Sequence, residues 1–247
     1  MTDTTQSPTP STSAQSLDVF SSSTKEEQQS QIAIYVYQSP IRAWHWLNMF
    51  CIIVLCISGY FIGSPPPTLS GEASDHYLMG YTRFAHFAAG QIMVYLFLGR
   101  IFFAFTGNKY ARELFLLPVH SQEWRNGFLE QIKWYCFANN QAPQFVGHNP
   151  VAQCIMFFGF VLPAIFMIVS GLALYAEGLG MGHWLYNVTD FMLLFFDGTM
   201  AIHTYHHLGM WVIICFIMLH LYAAFREELV SRQSMISTMI SGWRMFK

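Results

Sequence analysis

Four apolar stretches shape what this 247-residue chain can become: 43–62, 84–105, 153–175 and 207–225. Each is close to the roughly 20 residues that carry a helix across a bilayer. Hydrocarbon offers the backbone no hydrogen-bond partner, so stretches of this kind cross as helices. Only 11% of the residues are charged and 53% are hydrophobic, against roughly a quarter charged in a soluble domain. The expected fold is therefore all-α, an integral membrane four-helix bundle. A net charge of −2 says nothing about partners, but the lack of a basic patch argues against nucleic acid.

Residues 1–30 are rich in Ser, Thr, Gln and Pro and lack the apolar surface a packed unit needs, so they read as a disordered tail. They also lack the basic start and apolar core of a signal peptide. Residues 31–247 then form one membrane domain. The patch 191–196 is too short to span and reads as an interfacial helix before the fourth segment. Pro163 is expected to kink the third segment. Arg100, near the end of the second, is expected to reach outward to the headgroups. The five cysteines show no CxxC spacing and read as small apolar residues.

Lys and Arg placement sets the orientation. Arg100, Lys109, Arg112, Arg125 and Lys133 mark the connection between segments two and three. Arg226, Arg232, Arg244 and Lys247 mark the C-terminal end, and Lys25 and Arg42 the N-terminal side. The connections 63–81 and 176–205 carry neither residue. Both termini and the 107–150 connection are expected to be cytoplasmic, and the two bare connections periplasmic.

Histidines near the segment ends carry the functional signal. A helix turns about 100° and rises about 1.5 Å per residue. His206 and His220 therefore lie within about 40° of one face and about 21 Å apart along the axis. His207 falls nearly opposite to His220. His45 enters segment one at cytoplasmic depth, and His86 enters segment two at periplasmic depth. The four sort by depth into two pairs, His45 with His220 and His86 with His206. Any one of them alone reads as an interface residue, but matched depths across a bundle suit six-coordinate haem iron, with a neutral imidazole on each axial side. Two such haems would form an electron path across the membrane. Gly90 and Gly209, close after His86 and His206, are candidates to leave room for a flat macrocycle. A single zinc or copper site fails on distance, because the pairs are too far apart.

His148 precedes the third segment, where Asn149 and Pro150 read as a helix start; its functional reading is a cytoplasmic quinone or proton site. Arg42 and Arg112 are candidates to stabilise negative charge on a quinone there. Asp75, His76, Glu177, His183, Asp190 and Asp197 populate the bare connections, with His203 beside them, and are candidates for contacts with a partner protein. His120 reads as solvated.

The stretches YVYQSPIRAWHWLN (35–48), SGYFIG (58–63), SGEA (70–73), MGYTRFAHFAAG (79–90), GNKYARELF (107–115), GHNPVAQ (147–153), SGLALYAE (170–177), IHTYHHLGMW (202–211), LHLYAAFRE (219–227) and ISTMISGWR (236–244) follow one another along the chain. From about residue 33 to the C-terminus, the sequence resembles the b-type cytochrome subunit of membrane-bound nickel–iron uptake hydrogenases. The resemblance implies a four-helix cytochrome with two haem b, held by His45, His86, His206 and His220. It implies a bacterial inner-membrane protein that takes electrons from the iron–sulfur chain of the hydrogenase small subunit, and from the large subunit through it, and passes them to quinone. The doubled His206–His207 and the long N-terminal tail depart from the family pattern.

Nothing in the chain resembles a hydrogen-splitting centre, because neither paired CxxC motifs nor a cluster-binding cysteine run is present. The chain then reads as an electron-transfer subunit, not an enzyme in itself, although quinone reduction can occur on it. Alternatives are the cytochrome b subunit of another dehydrogenase or a stand-alone quinol oxidoreductase. From another class come a histidine-lined metal transporter and an inert anchor. A transporter needs a polar midplane path, which these segments lack, and an anchor leaves the depth-matched histidines unexplained.

Overall fold

A computed structural model describes residues 32–67, 76–139, 143–231 and 234–246. The expected tail 1–30, Asp75, Arg232 and the stretch 70–73 lie outside them. Four helices carry the chain back and forth: α1 (Ser39–Gly63), α2 (Leu78–Thr106), α4 (Pro150–Leu179) and α6 (Thr199–Leu229). Each is longer than the apolar run that announces it, because polar end residues continue the helix beyond the apolar core. Shorter helices are α3 (Gln122–Tyr135), α5 (Tyr186–Leu193) and α7 (Met235–Ser241). The chain is an all-α membrane protein, with one addition: β1 (Ile32–Tyr35) pairs antiparallel with β2 (Trp243–Phe246).

That pairing brings both ends of the described chain to one end of the bundle, called here the sheet end. The far end carries the connections leading into α2 and α6. Gly242 makes the turn from α7 into β2 with φ of +88°, the left-handed region open to glycine. A Cβ there would also stand 2.7 Å from Tyr37 O. The Gly242 carbonyl in turn accepts from the backbone N–H of Val36 at 2.9 Å and Tyr37 at 3.3 Å.

Helix α4 starts where Asn149 Oδ1 accepts from the Ala152 N–H at 2.7 Å, with Pro150 in its first turn. Between Phe157 and Val161 it loosens into a π turn. Pro163 follows at once; it has no N–H to offer the carbonyl four residues back. The turn presents Gly159 and Phe160 to α6. A Cβ on Gly159 would lie 3.0 Å from Phe216 Cδ2, and Phe160 stacks on Phe216 at 5.6 Å.

Helix α3 was not foreseen in the 107–150 connection. Ser121 caps it, accepting from the Trp124 N–H at 3.4 Å, and one face docks through Trp134 and Gln131, both buried. Glu227, buried near the end of α6, accepts from Gln131 Nε2 and Tyr135 OH, each at 3.1 Å, and from Ser231 Oγ at 2.5 Å. Burial, and then the Glu227 carboxylate, raise the Tyr135 phenol above its ordinary pKa. Arg226 lies over the Trp134 ring at 3.6 Å. Helix α5, covering part of the 191–196 patch, lies against α4, with Thr189 Oγ1 donating to Ala173 O at 2.8 Å.

Arg100 corrects an expectation. It does not reach for the headgroups; it is 4% exposed and lies between the rings of Trp44 and Phe115, 5.4 Å from each centroid. Its side chain follows the inward face of α2, and the aromatic residues around it close off the route outward.

Glu227→Ala removes an acceptor that three donors share, and charged hydrogen bonds contribute about 1.5–3 kcal/mol each. Thermal unfolding in detergent is expected to show a loss of about 2–4 kcal/mol, with earlier proteolysis at α3 than in the wild type.

Candidate functional site

The structure brings the four histidines together in the pairs their depths suggested. The rings of His45 (α1) and His220 (α6) lie 6.4 Å apart between centroids, with planes at 50°. The rings of His86 (α2) and His206 (α6) lie 6.4 Å apart, with planes at 76°. The first pair stands towards the sheet end and the second towards the far end, about 21 Å apart along α6 by helical rise.

At the far pair, two serines decide which nitrogen of each ring is free. Ser58 Oγ lies 2.9 Å from His86 Nδ1 and gives its own hydrogen to Val54 O at 2.5 Å. Its hydroxyl has one hydrogen to donate, so Nδ1 must be the donor to it. Ser170 repeats the arrangement on α4: Oγ lies 2.7 Å from His206 Nδ1 and donates to Phe166 O at 2.7 Å. With the serine hydrogens given to the preceding turns, both imidazoles would hold their proton on Nδ1 and present a bare Nε2, the tautomer a metal ligand needs.

Each serine is followed by a glycine against the same ring. A Cβ on Gly59 would stand 3.2 Å from His86 Cε1, and one on Gly171 3.3 Å from His206 Cε1. The recurring Ser-Gly pair was the sequence signal for these positions, and reading the histidines alone missed it. A cavity of about 880 Å³ opens beside the pair, lined by Gly59, Gly90, Gly171 and Met210 among others; cofactor sites span about 300–1,000 Å³. Gly90 thus borders the space as expected. Gly209 does not: its missing Cβ makes room for α4, where Met167 Sδ would lie 2.5 Å away. His207 also borders the cavity, but its ring is turned to the end of α1, where a Cβ on Gly63 would stand 2.8 Å from it. His203 Nε2 lies 3.7 Å from Glu177 Oε2.

At the sheet end, Phe216 stacks on His220 at 5.6 Å, continuing the packing that starts at the π turn. His45 Nδ1 is buried with no hydrogen-bond partner among the described residues. Beyond this pair lies a polar cap. His148 donates its backbone N–H to Glu113 Oε2 at 2.8 Å and sets Nδ1 3.1 Å from the same oxygen. Tyr37 OH lies 3.0 Å from His148 Nδ1 and 3.2 Å from Nε2. Burial, then Glu113, raise the Tyr37 phenol above its ordinary pKa. Arg244 clamps the loop before His148, donating to Val146 O at 3.1 Å and Gly147 O at 2.8 Å. Arg42 turns to α7, donating to Ile240 O and to Ser39 Oγ, and Arg112 is exposed beside Glu113. Of the three quinone candidates, only His148 belongs to the cap's hydrogen-bonded core.

A family model described as prokaryotic cytochrome b561 matches residues 36–242. The chain belongs to that family. A protein of Azotobacter chroococcum mcd 1, named a probable Ni/Fe-hydrogenase B-type cytochrome subunit, is 52% identical over 223 residues, covering 90% of this chain and 93% of the relative. A protein of the same name from Rhodobacter capsulatus is 45% identical over 228 residues, 91% of this chain and 87% of the relative. A probable Ni/Fe-hydrogenase 1 B-type cytochrome subunit of Escherichia coli (strain K12) is 41% identical over 230 residues, 90% of this chain and 95% of that protein.

The cytochrome b561 family implies haem b, and the residues present fit it. Two imidazoles bonded through nitrogen at about 2.0 Å on opposite sides of one metal have ring centres about 6.3 Å apart, close to the 6.4 Å of both pairs. The Nδ1-protonated tautomers, the absent side chains at Gly59 and Gly171 and the adjoining cavity point the same way.

Ser170→Ala leaves the Nδ1 hydrogen of His206 without an acceptor. Loss of such a supporting bond weakens metal binding about 10–100-fold, and Ser58→Ala acts likewise through His86. Competition with an apo-haem scavenger is expected to strip haem from either variant faster than from the wild type.

Proposed function

We propose that this chain is the two-haem cytochrome b that anchors a periplasmic nickel–iron hydrogenase and carries its electrons to membrane quinone. The observation that carries the reading is the pair of imidazole couples, each 6.4 Å between ring centres, at opposite ends of a bundle of four membrane-length helices. His45 with His220 and His86 with His206 would be the axial ligands. Bound there, haem supplies one-electron chemistry that no side chain of this protein offers.

Lys and Arg placement favours cytoplasmic termini in a bacterial inner membrane, which makes the far end periplasmic. The names of the relatives support the hydrogenase as donor. Its small subunit would dock over the His86–His206 end, and the large subunit would attach through it. His76, Glu177, Asp190 and Asp197 are exposed there, as are the apolar Trp184 and Met200, which suits a surface needing both polar and apolar contacts. His183 is half-buried, its Nδ1 accepting from the Leu185 N–H at 3.2 Å, and serves the loop itself.

Quinone would be reduced near His45 and His220, with protons taken from the cytoplasm. Glu113, His148 and Tyr37 form a hydrogen-bonded row from which a proton can be passed inward. Arg42 and Arg112 remain candidates to favour negative charge on the quinone. Hydrogen oxidised outside and quinone protonated from inside would charge the membrane without a pump.

Pyridine haemochrome analysis is expected to approach two haems per purified chain; saturation at one overturns the two-haem reading. His206→Ala should lose one haem and His207→Ala neither, because only the His206 ring faces His86 and Ser170.

His148→Ala is expected to slow hydrogen-dependent quinone reduction at least tenfold, with both haems present and still reducible by hydrogen. A normal rate would move proton delivery away from this row.

A further inference from the structure

Arg100 is a cation buried inside a membrane bundle, and no carboxylate among the described residues lies within ion-pair reach of it. Its Nε and Nη1 are buried with no hydrogen-bond partner among those residues. A buried charge left this way costs several kcal/mol, which a matching anion would offset. Cation–π contact with Trp44 and Phe115 relieves part of that cost, but an aromatic face accepts no fork of N–H bonds.

Its position along α2 shows where the anion belongs. Arg100 follows His86 by the same 14 residues that separate His220 from His206, and both helices run from the far end to the sheet end. Arg100 therefore shares the inward face of His86, within about 40°, and lies at the depth of His220. Other buried polar atoms without partners gather at this depth on α1: Trp44 Nε1, His45 Nδ1 and Asn48 Oδ1. Trp44 Nε1–H is, like the guanidinium, a donor only. Donors on two neighbouring helices thus sit beside His45, all lacking an acceptor. At the far pair, by contrast, Ser58 and Ser170 meet the imidazoles' needs from within the protein.

We propose that Arg100, assisted by Trp44 Nε1–H, binds a propionate carboxylate of the haem held by His45 and His220. This rests on the two-haem reading above. A guanidinium matches a carboxylate with two parallel N–H bonds. Glu113, in the cap, is engaged by His148. In this role Arg100 is a positioning residue that orients the macrocycle and places a fixed positive charge beside it.

Potentiometric titration of the purified chain, reading both haems, tests the idea. A fixed cation favours the reduced haem, so Arg100→Gln is expected to lower the midpoint potential of one haem, the one that His220→Ala removes. The other haem should keep its wild-type potential. Unchanged potentials at both haems would overturn the proposal. So would a rise in the KM for quinone with neither potential moved, because the guanidinium would then face the quinone. Arg100→Lys keeps the charge and most of the packing, and it decides the matter if the Gln variant does not accumulate. With haem labelled with carbon-13 at its propionate carboxylates, redox-difference infrared spectra should show the labelled carboxylate band displaced in Arg100→Lys relative to wild type. Identical bands would overturn the proposal. A wild-type chain holding fewer than two haems would show instead that the underlying reading had failed, whatever the variants do.

Discussion

Hydrocarbon supplies no hydrogen bonds, so every polar group drawn into this bundle must find its partner within the protein or on a ligand. The histidines at the far pair meet that demand through Ser58 and Ser170. Each serine spends its hydrogen on its own helix, four residues back, and offers its oxygen to a ring on another helix. The same bond orients the imidazole, sets its tautomer and ties α1 to α2 and α4 to α6. Replacing either serine by an apolar residue of similar size would keep the packing and lose all three effects.

The two ends solve the same problem differently. The far pair is supported by hydroxyls and opens onto a cavity bordered by glycines. The sheet-end pair is packed by aromatics, from Phe160 through Phe216 to His220, and Trp44 Nε1, His45 Nδ1 and Arg100 Nε find no partner among the described residues. Above it sits the cap of Tyr37, Glu113, His148 and Arg244, built from four separate parts of the chain. An electron carrier benefits from such asymmetry. Hydrogen-bonded support at one pair and aromatic packing at the other give side chains of one type different surroundings.

The pairing of the histidines was legible because helical phase and alternating direction are both properties of local sequence. The serines were not, since a serine in a membrane helix ordinarily satisfies itself against the preceding turn. Its second partner here lies 28 or 36 residues away. Arg100 was misread for a related reason: nearness to a helix end suggests an outward path, whereas Trp44 and Phe115, from distant stretches, turn that path inward. Gly209 shows the limit of spacing alone. Three residues after His206, it turns from the cavity to α4. The short sheet and α3 depend on contacts between remote segments, and nothing in their own periodicity demanded them.

The joining of β1 to β2 through Gly242 has a consequence for how the protein is made. The strand at residues 32–35 precedes its partner at 243–246 by the whole four-helix bundle, so the edge of β1 waits unpaired while the spans between them are made. Tyr37 is held by the Gly242 carbonyl, and the loop before His148 by Arg244. The cap over the sheet-end pair therefore cannot close until residues 242–246 and all four spans stand side by side. Residues 242–246 thus act as a latch over that end of the bundle.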